Sequence, residues 1–399
     1  MTGLNDRSLV ALAFALIAVA TLTPLRDAAA GDRMPFWCLA CGDFGVADAL
    51  ANVALFAPLG WALSRAGVRA GQAVGIILVT TIGIELLQAG VVRGRVASFS
   101  DILANTIGGL AGSRIPPLRR WIAASRARAG GATTLYGALL VTGLGAGVTV
   151  QAVPPLGRHR WTAEGSRLPG YTTFSGSVQS VSIDGAPAVR QEWRDRPASG
   201  LVQVAVKVSS GRPDTRWAEM ISVHTPGGAW MWVDQRYRSL RVHLASASDR
   251  FGLRGHSPWF SAVTPDAAGE PMTIELAVQR FSYRIVTTTG RGESVRDVTI
   301  SPGDAWRLFV PFERQRERWS PLLRGMWMAG LLGPLGYLAA LRSRAGAVAA
   351  ATGASVALIL LPLVTGCAWL PFLGWCGAGS GWAIGVAAAG HDASQGGLR

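Results

Sequence analysis

Eight apolar runs, each about the length that crosses ~30 Å of hydrocarbon, govern what this chain can fold into: 8–25, 47–63, 70–92, 97–115, 132–153, 321–341, 345–365 and 369–389. In lipid every backbone N–H and C=O must find its partner within the segment, so each run is expected to be a helix. Between the fifth and sixth runs lies a segment of ordinary soluble composition. The expected fold is an α-helical integral membrane protein of about eight transmembrane helices with one inserted polar domain. The boundaries read as a four-helix module over 1–130, a fifth helix over 131–153, the polar domain over 154–317, three C-terminal helices over 318–390 and a tail over 391–399.

Charge sets the expected orientation. With the N-terminus inside, eleven arginines fall on inner short loops and the tail, against four on outer loops; Lys/Arg bias of this kind marks the cytoplasmic side. A multi-pass protein of the plasma (inner) membrane is expected, with cytoplasmic termini and an extracytoplasmic polar domain. Arg7, the first run and Ala28-Ala29-Ala30 also fit a cleaved signal peptide, but the run is longer than an h-region of about 7–15 residues.

Composition removes several function classes. The net charge of +14 rests on 38 basic and 24 acidic residues, and Lys207 is the only lysine. Its neighbours, Val206 and Val208, exclude the Gly-Lys-Ser/Thr of a phosphate-binding loop. The polar domain holds 21 basic and 16 acidic residues, too mixed for the basic stripe that nucleic acid requires, so no nucleic-acid partner is expected. Four of the five histidines lie between His159 and His256 and the fifth is His391, which leaves no metal-ligand cluster in the apolar runs and no cofactor to expect. Cys38, Cys41, Cys367 and Cys376 all fall on the expected outer side, where structural disulfides are permitted; their pairing stays open.

Charged groups inside a span cost at least ~2.5 kcal/mol near its centre, so each needs pairing, water or a function. Asp48 and Asn52 open the second run, Glu85 and Gln88 lie in the third, Arg93 and Arg95 follow it, and Asp101 and Asn105 open the fourth. Asp48-Ala-Leu-Ala-Asn52 and Asp101-Ile-Leu-Ala-Asn105 form a short repeat whose spacing of four stacks each Asp over its Asn on one helical face. One reading is structural: carboxylates at helix N-termini and amides bonding between helices. The other is an outward-facing pocket in which Arg93 and Arg95 hold an anionic headgroup. Glu85, Asp48 or Asp101 would then serve as acid or base, yet no Ser, Cys or His nucleophile is paired with a base there. Ala104, Gly108 and Gly112, and likewise Gly71 and Gly75, recur every four residues and should let helices approach closely. Pro58 should distort the second helix.

Asp48-x-x-x-Asn52-Val-Ala-Leu-Phe56-Ala-Pro58-Leu-Gly60, Ile84-Glu85-Leu-Leu-Gln88, Arg95, Asp101 and Asn105-Thr-Ile-Gly108-Gly109 together resemble the VanZ-like membrane protein family over roughly residues 8–125. Ser98-Phe99-Ser100 departs from the more acidic approach to Asp101 found in that family. The resemblance implies a link to resistance against glycopeptides of the teicoplanin type, without implying a mechanism.

Within 160–316, short alternating stretches occur at 201–208, 217–223, 229–233, 240–244, 272–278 and 282–288, separated by Gly- and Pro-rich turns. This is the pattern of an antiparallel β-sandwich, expected to be of the jelly-roll type. The strand order and the Phe174-Ser-Gly176 opening resemble laminin-G or concanavalin-like domains. Trp230 and Trp232, two apart in one strand, would share a face and either stack on sugar rings or fill the core. His224, His243 and His256 read as surface or sheet-edge residues rather than members of a triad. The ligand expected for the bundle is a membrane lipid, an anionic amphiphile or a lipid-linked glycan at the outer leaflet, and for the sandwich an envelope polysaccharide or protein. Two alternatives stand beside this: a membrane enzyme acting on a lipid-linked phosphate, and a structural anchor that displays the sandwich.

Overall fold

The computed structural model describes residues 5–24, 36–37, 44–92, 95–163, 171–197, 200–265, 267–310 and 313–394. Ala28-Ala29-Ala30, Cys38, Cys41 and Arg93 lie outside these described residues. Long helices occupy all eight apolar runs: α1 (Asp6–Leu22), α2 (Gly45–Arg65), α3 (Ala70–Gly90), α4 (Phe99–Ala123), α5 (Arg126–Val150), α7 (Glu313–Arg342), α8 (Arg344–Thr365) and α9 (Phe372–Ser394); a single turn, α6 (Ala247–Arg250), belongs to the polar domain. Among the described residues, α2, α3, α5, α8 and α9 are long and apolar enough to cross a membrane. The 17 residues of α1 extend only about 25 Å at 1.5 Å each. The 25-residue α4 carries Arg114, Pro116, Pro117, Arg119 and Arg120 in its second half, which lowers its apolar length.

The chain divides into two compact units, one of residues 1–138, 331–352 and 380–399, the other of residues 139–330 and 353–379. In the first, Asn5 caps α1 by accepting from the Ser8 N–H at 2.7 Å, which satisfies one of the orphan donors of a helix start. Ile17 of α1, Phe56, Leu59 and Leu63 of α2, and Ile77 and Ile84 of α3 share one apolar core. α2 and α4 pack backbone to backbone. A Cβ on Gly108 would strike the Val53 carbonyl, one on Gly112 the Ala57 carbonyl, and one on Gly60 the Gly109 carbonyl. The same contact recurs four residues further along both helices, so α2 and α4 run parallel and the two Asp-x-x-x-Asn repeats start at one end. The expectation for Gly71 and Gly75 differs from what is found: among the described residues nothing packs within 4 Å of a Cβ at either. α2 continues as a helix through Pro58.

Among the described residues the second unit has twelve strands: β1 (Arg160–Thr162), β2 (Tyr171–Thr173), β3 (Ser177–Ile183), β4 (Ala186–Pro187), β5 (Val202–Ser209), β6 (Trp217–Thr225), β7 (Gly228–Arg236), β8 (Ser239–Leu244), β9 (Trp259–Phe260), β10 (Pro271–Gln279), β11 (Ser282–Thr289) and β12 (Gly292–Thr299). One sheet runs β1-β6-β7-β8-β9 with β2 also on β6; the other runs β12-β11-β10-β5-β3-β4. Among the named strands every pairing is antiparallel except β2 with β6, and an isolated parallel bridge joins Trp161 of β1 to Arg190. Alternation does the sorting: along β5, Val202, Val204, Val206 and Val208 point inward while Gln203 and Lys207 face out. Inward residues of both sheets, among them Val206, Ile274 and Ile285 from one and Val223, Met231 and Val242 from the other, form one core.

Three hydrogen bonds tie the end of α5 to this sandwich. His256 Nε2 meets the Gln151 carbonyl at 2.6 Å, the Val153 N–H donates to the Arg280 carbonyl at 2.9 Å, and Trp230 Nε1 donates to the Pro154 carbonyl at 2.8 Å. At the other end, the turn after β12 is closed by the buried Asp304, which accepts from Ser301 Oγ at 2.6 Å and Arg324 Nη2 at 2.7 Å. A buried carboxylate needs this many donors to offset its desolvation.

Candidate functional site

The polar residues singled out from the sequence gather at one end of the first unit, where α1 and α3 finish and α2 and α4 begin. Asn52 Nδ2 donates to Asp101 Oδ1 at 2.7 Å, joining the two repeats across α2 and α4. The symmetric bond from Asn105 to Asp48 does not form. Asn105, only 2 % exposed, donates instead to Thr81 Oγ1 of α3 at 2.8 Å, and its Oδ1 has no hydrogen-bond partner among the described residues. Asp48 is exposed in the first turn of α2.

Glu85 is 4 % exposed, and its Oε2 accepts from the Ser98 N–H at 2.8 Å, one residue before α4 begins. Gln88 donates to the Thr21 carbonyl at 3.0 Å. Arg95 donates from Nη2 to the Ala20 carbonyl at 2.7 Å and from Nε to the Thr23 carbonyl at 3.4 Å. The last carbonyls of a helix have no intrahelical donor and carry its negative dipole end, so a guanidinium fits there. Arg95 is thus engaged by α1, in a role that its place in the sequence did not show.

Six residues at this end were not singled out beforehand: Ala20, Thr21, Thr23, Thr81, Phe36 and Trp37. Thr81 stands four residues before Glu85 on the same face of α3, a spacing that marks it as a neighbour. Phe36 accepts from the Phe99 N–H at 2.9 Å, and the Trp37 ring lies 5.5 Å from that of Phe99. With Trp37 73 % exposed, an aromatic rim stands at the start of α4.

In the sandwich, the two tryptophans part company. Trp230 is 1 % exposed and belongs to the core; the β6–β7 register shifts beside it, between Val223 and His224, so the simple two-residue alternation fails there. The pair therefore does not offer two exposed rings on one face. Trp232 is partly exposed and stacks on His243, with ring centroids 3.6 Å apart. His243 bonds Ser257 Oγ through Nδ1 at 2.7 Å, while Asp249 stands 3.6 Å from Nε2, beyond hydrogen-bond reach. His224 Nε2 meets Ser222 Oγ at 2.9 Å. His256 is fully buried, and that burial pushes its pKa down to about 4. Cys367 is buried against Val148, Phe281 and Ile300, Cys376 is exposed on α9, and both are free thiols. No group of three or more His, Cys, Asp and Glu suited to a metal occurs among the described residues.

Long apolar helices joined to a two-sheet β domain define a helical membrane protein. Within it, residues 8–120, which include the helices that build the polar end, match the family model described as VanZ/LLP1. No curated protein and no solved structure matches the chain.

Proposed function

We propose that this is a cell-envelope protein whose VanZ-like module recognises the polar headgroup of an amphiphile at the outer leaflet, in the manner of a glycopeptide-resistance factor. In this reading eight helices cross the plasma membrane, both termini are cytoplasmic, and the β domain, a concanavalin-like jelly roll, is extracytoplasmic and binds carbohydrate or an envelope partner. The observation that supports it is the convergence of Asp48, Asn52, Asp101 and Asn105 at one end of a parallel helix pair, beside the aromatic rim of Trp37 and Phe99. The described groups at this end are acceptors: the Asp101 carboxylate, which takes the Asn52 bond, and the buried Asn105 Oδ1. Acceptors suit the hydroxyls of a lipid-linked glycan, while Arg93 supplies the cation for its phosphate.

Teicoplanin susceptibility tests this, in a strain lacking the protein and complemented with wild type, with Arg93→Ala, or with the β domain deleted, each verified at equal membrane level. Protection is expected from the wild type, with at least about a tenfold loss of potency on removal of the Arg93 contact, the order of one charged hydrogen bond. Normal protection by Arg93→Ala would remove the headgroup reading.

A further inference from the structure

Where α5 meets the sandwich, a cleft of about 1130 Å³ opens between Thr149 in the last turn of that helix, the 225–228 turn of β6 and β7, and the 246–250 segment that contains α6. α5 is long and apolar enough to cross a membrane, and such a crossing would put its last turn at the level of lipid headgroups. Arg158, Arg250 and Arg280 reach this cleft from three separate segments, all exposed. Arg250 and Arg280 make no ion pair among the described residues, Arg280 lying over the Phe281 ring at 5.0 Å, and Arg158 stands 3.9 Å from the exposed Asp195 and 5.6 Å over the Trp193 ring. Asp249, the carboxylate in the wall, already accepts from the Ser246 N–H at 2.9 Å and faces His243. The floor is largely apolar: Pro154, whose carbonyl accepts from Trp230 Nε1, Pro155, and the Trp232 ring, which stacks on His243.

We propose that this cleft binds the phosphate headgroup of an anionic membrane phospholipid, with the three arginines around the phosphate and Trp232 against the glycerol and first methylenes. Guanidinium forks match phosphate oxygens, and an indole at the interface suits the border between headgroup and chain. This site lies in the second unit and is independent of the polar end of the VanZ-like module.

The test uses the full chain in phosphatidylcholine nanodiscs doped with phosphatidylglycerol that carries a diazirine close to the headgroup, with cross-linked peptides mapped by mass spectrometry. The expected result is labelling of the 150–158 and 245–250 peptides. That labelling should fall at least about fivefold in Arg158→Gln/Arg250→Gln/Arg280→Gln, while labelling of the helices is unchanged. The three side chains are exposed, so the fold should persist; Arg250→Glu alone, on the four-residue helix, gives a second variant that must also lose label. Equal labelling by a phosphatidylcholine probe, or undiminished labelling in both variants, would overturn the proposal. Loss of labelling on adding inorganic phosphate would overturn the lipid source and mark a soluble-anion site.

Discussion

His256 shows how one buried side chain sets a pH limit. The Gln151 carbonyl can only accept, so Nε2 carries the proton of the neutral ring, and burial keeps the folded-state pKa near 4. Between pH 4 and about 6.5 the unfolded chain binds a proton that the folded chain refuses. This contribution is complete above about pH 6.5 and declines as pH falls toward 4, by up to the order of 3 kcal/mol. Near-UV circular dichroism melts of the full chain at pH 7 and pH 4.5 should show the drop, and His256→Gln, which keeps an N–H donor, should shrink it. The same scale separates the two tryptophans. Trp230→Ala should cost about 3–5 kcal/mol of stability, whereas Trp232→Ala should leave the melt nearly unchanged. In the polar end, Glu85→Gln keeps an acceptor for the Ser98 N–H, so level and protection should both survive. Protection lost at normal level would instead assign Glu85 an acid or base role.

Between α2 and α4 the element scale is set by glycine. The Gly60, Gly108 and Gly112 positions leave no space for a Cβ because backbone carbonyls stand opposite, and backbone cannot move aside as a flexible side chain does. Gly112→Val should therefore cost at least about 1–3 kcal/mol and show as earlier aggregation of detergent-solubilised protein in thermal size-exclusion assays. Gly71→Ala and Gly75→Ala, in open space, should be silent. The sequence marked both sets alike, since a four-residue spacing of small residues says which face is smooth and nothing about what lies against it. Strands were legible for a similar reason. Where alternation was strong, as in β5, β10 and β11, the stretches read from the pattern lie within a residue of those found. β12, with Gly-Glu-Ser-Val-Arg-Asp-Val-Thr, went unread because an edge strand exposes most of its side chains.

At the scale of the whole molecule, the apolar runs announced a membrane protein and the repeat announced a polar helix end, because both depend on local composition and spacing. The partners at that end were legible only in part. Asn52 finding Asp101, Asn105 turning to Thr81, and Arg95 settling on the end of α1 depend on which helices become neighbours, which no local pattern encodes. The central claim is that the VanZ-like module does the recognising and is more than an anchor for the β domain. The most direct measurement replaces the first five helices with an unrelated membrane anchor that keeps the β domain on the outer face, and compares teicoplanin susceptibility at equal membrane level. The account predicts that this chimera protects no better than the empty strain. Protection equal to the wild type would contradict it and leave the helices as a display scaffold.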